Sequence, residues 1–137
     1  MALTPTIETN EFLKSEIEIT TYPGKTYKMD LVKGRIRGNV DELAAMPQTI
    51  YCILNTERNT YLAYSDGYGV ELEDLFGMPI SYVLPELERR IRDALIWDSR
   101  IEEVDGFSFE VNQSVVHVTF TVHTIYGNLE MEKVVNI

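Results

Sequence analysis

Residues 81–101, SYVLPELERRIRDALIWDSRI, constrain this chain more than any other stretch. Leu84, Leu87, Ile91 and Leu95 fall at i, i+3, i+7 and i+11, one stripe of a 3.6-residue period. The opposite side carries Glu86, Glu88, Arg89, Arg90, Arg92 and Asp93, and Glu86–Arg90 and Glu88–Arg92 have the acid four residues ahead of the base. Ser81 reads as the N-cap, with Pro85 in or near the first turn, where a missing amide costs little. Burying each stripe residue stabilises by roughly 1.5–3 kcal/mol, against about 0.3–0.5 for an exposed ion pair. The stripe therefore places the helix, and the charges keep its back wet.

The C-terminal third alternates. Phe107, Phe109 and Val111 interleave with Ser108, Glu110 and Asn112, and Val116, Val118, Phe120 and Val122 with His117, Thr119, Thr121 and His123. Asn112-Gln113-Ser114 reads as one hairpin turn and Gly127-Asn128 as a II′-type turn into 129–135, with a bulge near Thr124 where parity slips. The result is a three-stranded meander with one apolar face. A second helical segment starts at Asn39 or Asp41 and ends near Thr56, with Leu43, Met46, Ile50, Ile53 and Leu54 on one side. Pro47 should kink it or mark where its regular part begins. The expected fold is α+β, an antiparallel sheet whose C-terminal meander is covered by two main helices.

Smaller elements fill the gaps. Residues 16–20 alternate, with Ile17 and Ile19 on one face. After Pro23-Gly24, residues 26–31 alternate with Tyr27, Met29 and Leu31 inward, and the two segments suit a hairpin. Residues 61–64 read as a short strand. Residues 65–69 are a turn cluster needing positive φ at one or both glycines, and 71–76 one or two helical turns closed by Gly77 and Pro79. Residues 1–15 read as a mobile or partner-ordered arm, and 16–137 as a single domain.

The net charge of −10 argues against a general nucleic-acid or anionic-membrane binder. Within that acidic chain Lys25, Lys28, Lys33, Arg35 and Arg37 are opposed only by Asp30. The cluster is either a solvated edge strand guarded by its cations or a docking patch for an acidic neighbour. The single cysteine, Cys52, lies in an apolar run and reads as a buried inert thiol in a reducing compartment. Neither a basic-then-apolar leader nor an apolar run near 18 residues is present, so neither secretion by signal peptide nor membrane spanning is expected.

Catalytic patterns are sparse. His117 and His123 share a strand face but lie roughly 20 Å apart at 3.3 Å per residue, too far to share a metal, and no cofactor is expected. Glu71, Glu73 and Asp74 crowd a short helix near Asp66, which raises a peptidoglycan-cleaving, lysozyme-like acidic pair as the alternative function. Acids in a first helical turn are also what the helix dipole favours. GxSxG is absent, and Gly67-Tyr68-Gly69 lacks the third glycine of a phosphate loop. Trp97, off the stripe at the end of the main helix and followed by Asp98-Ser99-Arg100, is either a protein–protein contact, which tryptophan and arginine dominate, or packed at the core edge with Arg100 closing the last helical turn.

The order TYKMD, GRIRG, IYCILNTER, YSDGYGVELEDLFG, LERRIRDALIWDSRI and HTIYG resembles the contractile-tail baseplate wedge family that initiates the sheath, closest to its branch in phages and prophages of Gram-positive bacteria. The likeness runs from about Thr26 to Gly127. The wider family carries a Glu-Pro-Arg signature at the end of its main helix, where this chain reads Asp98-Ser99-Arg100. The resemblance implies a non-enzymatic virion structural protein, six copies per baseplate, with Asp98 and Arg100 holding it to the wedge core. It also implies strand edges that receive extended arms from the first sheath ring, that is, β-augmentation. Partners would be the sheath protein, other wedge proteins, and tail tube or hub proteins, in a virion or tail-like particle baseplate assembled in the bacterial cytoplasm. Expected partner-binding residues are Asp98, Arg100, Trp97, Lys33, Arg35 and Arg37.

Overall fold

A computed structural model describes residues 24–137. The arm expected at 1–15 and the strand expected at 16–20 lie outside the described residues. The chain starts with a hairpin of β1 (Thr26–Asp30) and β2 (Arg35–Val40), antiparallel, with a bulge between Tyr27 and Met29. Residues 26–30 thus take β2 as partner, because Asp30 folds the chain straight back. Its Oδ1 accepts the amides of Val32 and Lys33 at 3.2 and 3.0 Å. Tyr27 and Leu31 are exposed rather than inward, and only Met29 is half-buried.

Asp41 caps the next segment through its Oδ1, 2.8 Å from the Glu42 amide. A 3-10 turn (Glu42–Ala45) then runs into α1 (Met46–Leu54), so Pro47 does sit where the regular helix begins. Met46, Ile50, Ile53 and Leu54 are buried, and Leu43 is not. Residues 61–64 form turns, not a strand. The Tyr64 amide bonds the Tyr61 carbonyl at 3.3 Å, and no strand of the described residues pairs with this segment. A parallel bridge pairs Glu57 with Val70, and Gly69 takes the expected positive φ of 95° where its Cα passes the Thr56 carbonyl. Glu73–Leu75 is a single 3-10 turn.

The main helix, α2 (Ile80–Ile96), starts one residue before Ser81 and stops five before Ile101. Pro79 supplies the N-cap, its carbonyl accepting Tyr82 and Val83, so Ser81 is inside the first turn and caps nothing. Pro85 falls a turn deeper than expected, and the helix tolerates it because Ser81, whose carbonyl it leaves unpaired, faces solvent. Leu87, Ile91 and Leu95 are fully buried, Leu84 partly, and Val83 and Ala94 widen the stripe. Both expected ion pairs form, Glu86–Arg90 at 3.1 Å and Glu88–Arg92 at 2.8 Å.

After α2 a tight turn leads into β3 (Ile101–Asn112), β4 (Val115–Thr124) and β5 (Gly127–Asn136), an antiparallel meander in the order β3-β4-β5. The alternation of β4 holds throughout, with Val116, Val118, Phe120 and Val122 buried against α1 and α2. β3 begins six residues earlier than its regular alternation. Two irregularities, between Ile101 and Glu103 and between Asp105 and Ser108, break its parity, the second at Gly106 with φ of 65°. The irregularity expected near Thr124 lies on its β3 side, where Ile101 faces Thr124 and Glu103 faces His123, whereas β4 and β5 stay in register down to the Thr124–Gly127 pair. The turn is Ile125-Tyr126 instead of Gly127-Asn128. Buried Thr124 holds it, its Oγ1 donating to the Gly127 carbonyl (2.7 Å) and accepting the Tyr126 amide (3.2 Å). The first hairpin turns at Gln113-Ser114 as expected.

Candidate assembly interface

The end of α2 is built around one ion pair. The Asp98 amide bonds the Leu95 carbonyl and the Ile101 amide bonds the Asp98 carbonyl, which folds the chain tightly enough for Arg100 to reach back. Its Nε lies 3.0 Å and its Nη2 2.8 Å from the two Asp98 oxygens, while its own amide donates to Oδ1 at 2.9 Å. This two-pronged geometry suits guanidinium and carboxylate. The side chains are only 16% and 15% exposed. Burial pushes the Asp98 carboxyl up, but the hydrogen bonds and charge of Arg100 outweigh it and hold the group below the usual range. Arg100 is held above its usual value by the same hydrogen bond.

Arg100 also gathers its surroundings. Its Nη2 lies 3.5 Å from Thr49 Oγ1 on α1, its carbonyl accepts the Ile125 amide of the β4–β5 turn at 2.9 Å, and its Nη1 leaves no room for a side chain at Gly24. One residue therefore ties together α1, α2, the second hairpin and the incoming chain. This internal work exceeds the surface contact expected of it.

Beside the ion pair, Trp97 is 64% exposed. Its ring lies flat over Gly67, where any β-carbon would come within 2.5 Å of the indole. Trp97, Asp98 and Arg100 line an open depression of about 690 Å³, completed by Thr49, Cys52 and Tyr68. Tyr68 stacks on Tyr64 at 4.6 Å, and Tyr61 meets Tyr64 edge-on at 6.2 Å, extending an aromatic strip from the depression. The turn at 65–69 was visible in the sequence, but its role as the seat of Trp97 was not, since nothing in spacing links Gly67 to a helix end thirty positions away. Cys52 is half-buried in the wall rather than fully enclosed, and burial pushes its thiol up, as expected of an inert group.

The three hairpin cations form a separate surface. Lys33 is in the β1–β2 turn and Arg35 and Arg37 are on β2, all exposed. Gln48 of α1 fastens this hairpin, its Oε1 accepting the Met29 amide (2.9 Å) and its Nε2 donating to the Tyr27 carbonyl (2.7 Å). The outer edge of β1 is thereby occupied.

The meander has unequal edges. α2 packs along β3, and Arg92 Nε donates to the Val104 carbonyl at 3.2 Å. β5 meets α1 through side chains, Lys133 Nζ donating to Asn55 Oδ1 at 2.9 Å and Met131 lying near Pro47 and Tyr51, but among the described residues nothing bonds the backbone of its outer edge. Because the two-residue turn closes on the Thr124–Gly127 pair, hydrogen-bonded and non-bonded pairs alternate from there. The backbone groups of Asn128, Glu130, Glu132 and Val134 consequently point outward.

The acids weighed for hydrolysis are distributed among cations. Glu71 lies 3.8 Å from Arg58, and Asp74 is clamped by Arg90, whose hydrogen bond keeps its carboxyl below the usual range. The two histidines lie on the polar face, His117 Nε2 2.9 Å from Glu132 and His123 Nε2 2.9 Å from Asp105. The described residues contain no group of side chains arranged to hold a metal, and no helix among them is long and apolar enough to cross a membrane.

A family described as "Contractile injection system sheath initiator" matches residues 25–127. The chain is 38% identical over 140 residues to "Phage-like element PBSX protein XkdS" of Bacillus subtilis (strain 168), covering 98% of this chain and 97% of that protein. The match begins at the foot of the β1–β2 hairpin and ends where β5 starts, so it takes in both helices and the α2 end. The chain belongs to the contractile injection system sheath initiator family, and its role is a structural one in a contractile tail.

Proposed function

We propose that this domain is a baseplate wedge subunit that seats through the end of α2 and starts the sheath from the free edge of β5. The observation that carries the reading is the inequality of the meander: β3 is covered by α2 and β5 turns a row of backbone donors and acceptors outward. An extended arm of a first-ring sheath subunit adds there as a fourth strand, its main chain supplying affinity and its alternate side chains register. The Trp97 ring beside the rigid Asp98–Arg100 pair is the kind of aromatic anchor that other wedge proteins grip. Six copies surround the tail axis, with tail tube or hub proteins as neighbours, and the particle assembles in the bacterial cytoplasm. No bond in any substrate is made or broken, and no cofactor, nucleic acid or membrane takes part.

Sheath polymerisation on reconstituted baseplates tests the assignment. Glu130→Pro removes an outward amide while sparing the β4–β5 bonds, which edge strands tolerate. Baseplates carrying it should nucleate no sheath, whereas Glu130→Ala should behave as the parent. Full-length sheaths on the proline variant would end the β5 assignment.

A further inference from the structure

The unsatisfied positive charge of the described residues is confined to one hairpin. Arg58, Arg89, Arg90, Arg92 and Arg100 each lie against a carboxylate, and Lys133 donates to Asn55 at 2.9 Å. Lys25, Lys28, Lys33, Arg35 and Arg37 have neither an ion pair nor a side-chain hydrogen bond among the described residues. Asp30, the one acid among them, has its Oδ1 taken up by the amides of its own turn.

The same hairpin is greasy. Tyr27, Leu31, Val32 and Ile36 are all exposed, Val32 at 96%. Between the hairpin and α1 runs an open groove of about 340 Å³, walled by Met29, Leu31, Val40, Pro47 and Tyr51 with Lys28 at its lip. A guarded edge strand needs cations but not a row of large apolar side chains beside them. Apolar residues interleaved with arginine are what a protein interface presents. The remainder of the chain carries the acid that gives a net −10, so a polyanion as extended as DNA or a lipid surface would meet net repulsion from the chain as a whole.

We infer that the groove between the β1–β2 hairpin and α1 docks an acidic amphipathic segment of another protein, its apolar side chains in the groove and its carboxylates on Lys28, which lines it, and on Lys33, Arg35 and Arg37 of the adjoining turn and strand. The inference goes beyond sheath initiation at β5 and seating at the α2 end, since the groove is walled by the hairpin and α1, with Met131 its one lining residue from β5. The partner's chemistry follows from complementarity: carboxylates at the spacing of alternate residues, separated by branched apolar ones. Arg35, Ile36 and Arg37 supply the mirror of that pattern.

The purified full chain and labelled twelve-residue peptides test it by fluorescence anisotropy. A peptide alternating Glu and Leu should bind at low salt and weaken as salt rises. One alternating Glu and Ser should bind at least roughly tenfold more weakly, and one alternating Lys and Leu should not bind. Arg35→Glu with Arg37→Glu should lower affinity for the Glu-Leu peptide by about tenfold or more and confer binding of the Lys-Leu peptide. Leu31→Ser should weaken the Glu-Leu peptide without changing the salt dependence. Both variants alter exposed side chains, so unchanged circular dichroism is expected. Equal binding of the Glu-Ser peptide, indifference to the arginine reversal, or tighter binding of duplex DNA or phosphatidylglycerol vesicles would each overturn the proposal. So would self-association of the chain that the arginine reversal abolishes, which would make a second copy the occupant, or binding of the Glu-Leu peptide only by a chain lacking residues 1–23, which would make its own Glu16-Ile17-Glu18-Ile19 the occupant.

Discussion

The tripeptide Arg-Ile-Arg occurs twice in this chain, at residues 35–37 and 90–92, and the two copies lead opposite lives. On α2, Ile91 is fully buried beneath β3 and β4, Arg90 spans Glu86 and Asp74, and Arg92 spans Glu88 and the Val104 carbonyl. On β2, Ile36 is 67% exposed and neither arginine meets a carboxylate among the described residues. Identical side chains therefore stabilise the fold in one place and, in the other, stand exposed with no ion pair among the described residues. What separates them is the layer underneath: a helix lying on a sheet has an inside, and a two-stranded hairpin held by one glutamine does not.

The largest test of that contrast removes the two isoleucines. Ile91→Ala deletes buried methylenes in a packed core and should cost about 2–5 kcal/mol. Ile36→Ala should change stability by no more than about 0.5. Chemical denaturation with both midpoint and slope measured reads the difference. Equal losses would mean that the hairpin is part of the cooperative core, and its charges would then need a structural account.

Arg100 offers a smaller and sharper comparison, because it is a third arginine that is both committed and at a surface. Arg100→Ala leaves a half-buried Asp98 without its partner and frees Thr49 and Gly24, a loss of about 1–3 kcal/mol. Trp97→Ala, by contrast, removes an exposed ring from Gly67 and should leave stability within about 1 kcal/mol while weakening wedge assembly. Pairing melting curves with wedge reconstitution separates the two. If Arg100→Ala melts like the parent and fails only in assembly, its internal bonds are incidental.

Much of this was readable in the sequence where a single periodicity ran uninterrupted. The stripe of α2, the alternation of β4 and the role of Pro47 each follow from spacing and one local rule. The failures came where two rules competed. Apolar Ile96 and Trp97 extended the helical pattern past a turn that Asp98 and Arg100 impose by hydrogen bonding. At the start of β3 the bulges cancelled the alternation that would have revealed it. Residues 61–64 have the tyrosines of a strand, but their rings pack on one another and on Tyr68 and no edge was present to pair with. The proposed assembly surface was half-visible. Trp97, Asp98 and Arg100 line one depression, whereas Thr49, Gly67 and Tyr68 joined them only through tertiary packing, and the hairpin cations lie apart from it.

The smallest expected effect concerns the other paired cation at a surface, His123. Its Nε2 lies 2.9 Å from Asp105, and the hydrogen bonds that the ring donates to that carboxylate and to the Asn128 side chain, with the charges of Asp105 and Glu103, raise its pKa above the ordinary value near 6.5. A raised folded pKa means that the protonated ring is favoured in the native state. The contribution is therefore complete below the unfolded value and disappears as pH climbs through the folded one. Melting temperature should fall slightly across that alkaline-going window, and Asp105→Asn should flatten the slope and return the His123 titration, followed by imidazole NMR, toward its unperturbed midpoint. Because the ring is solvent-accessible, salt should erase most of the effect. The hairpin cations form no ion pair among the described residues, although Asp30 stands across the strand from Arg35, and should show no counterpart: Arg35→Gln should leave the same pH profile untouched. A profile altered by Arg35→Gln would mean that β2 already touches an acid of its own chain, and the division between committed and free arginines would fall.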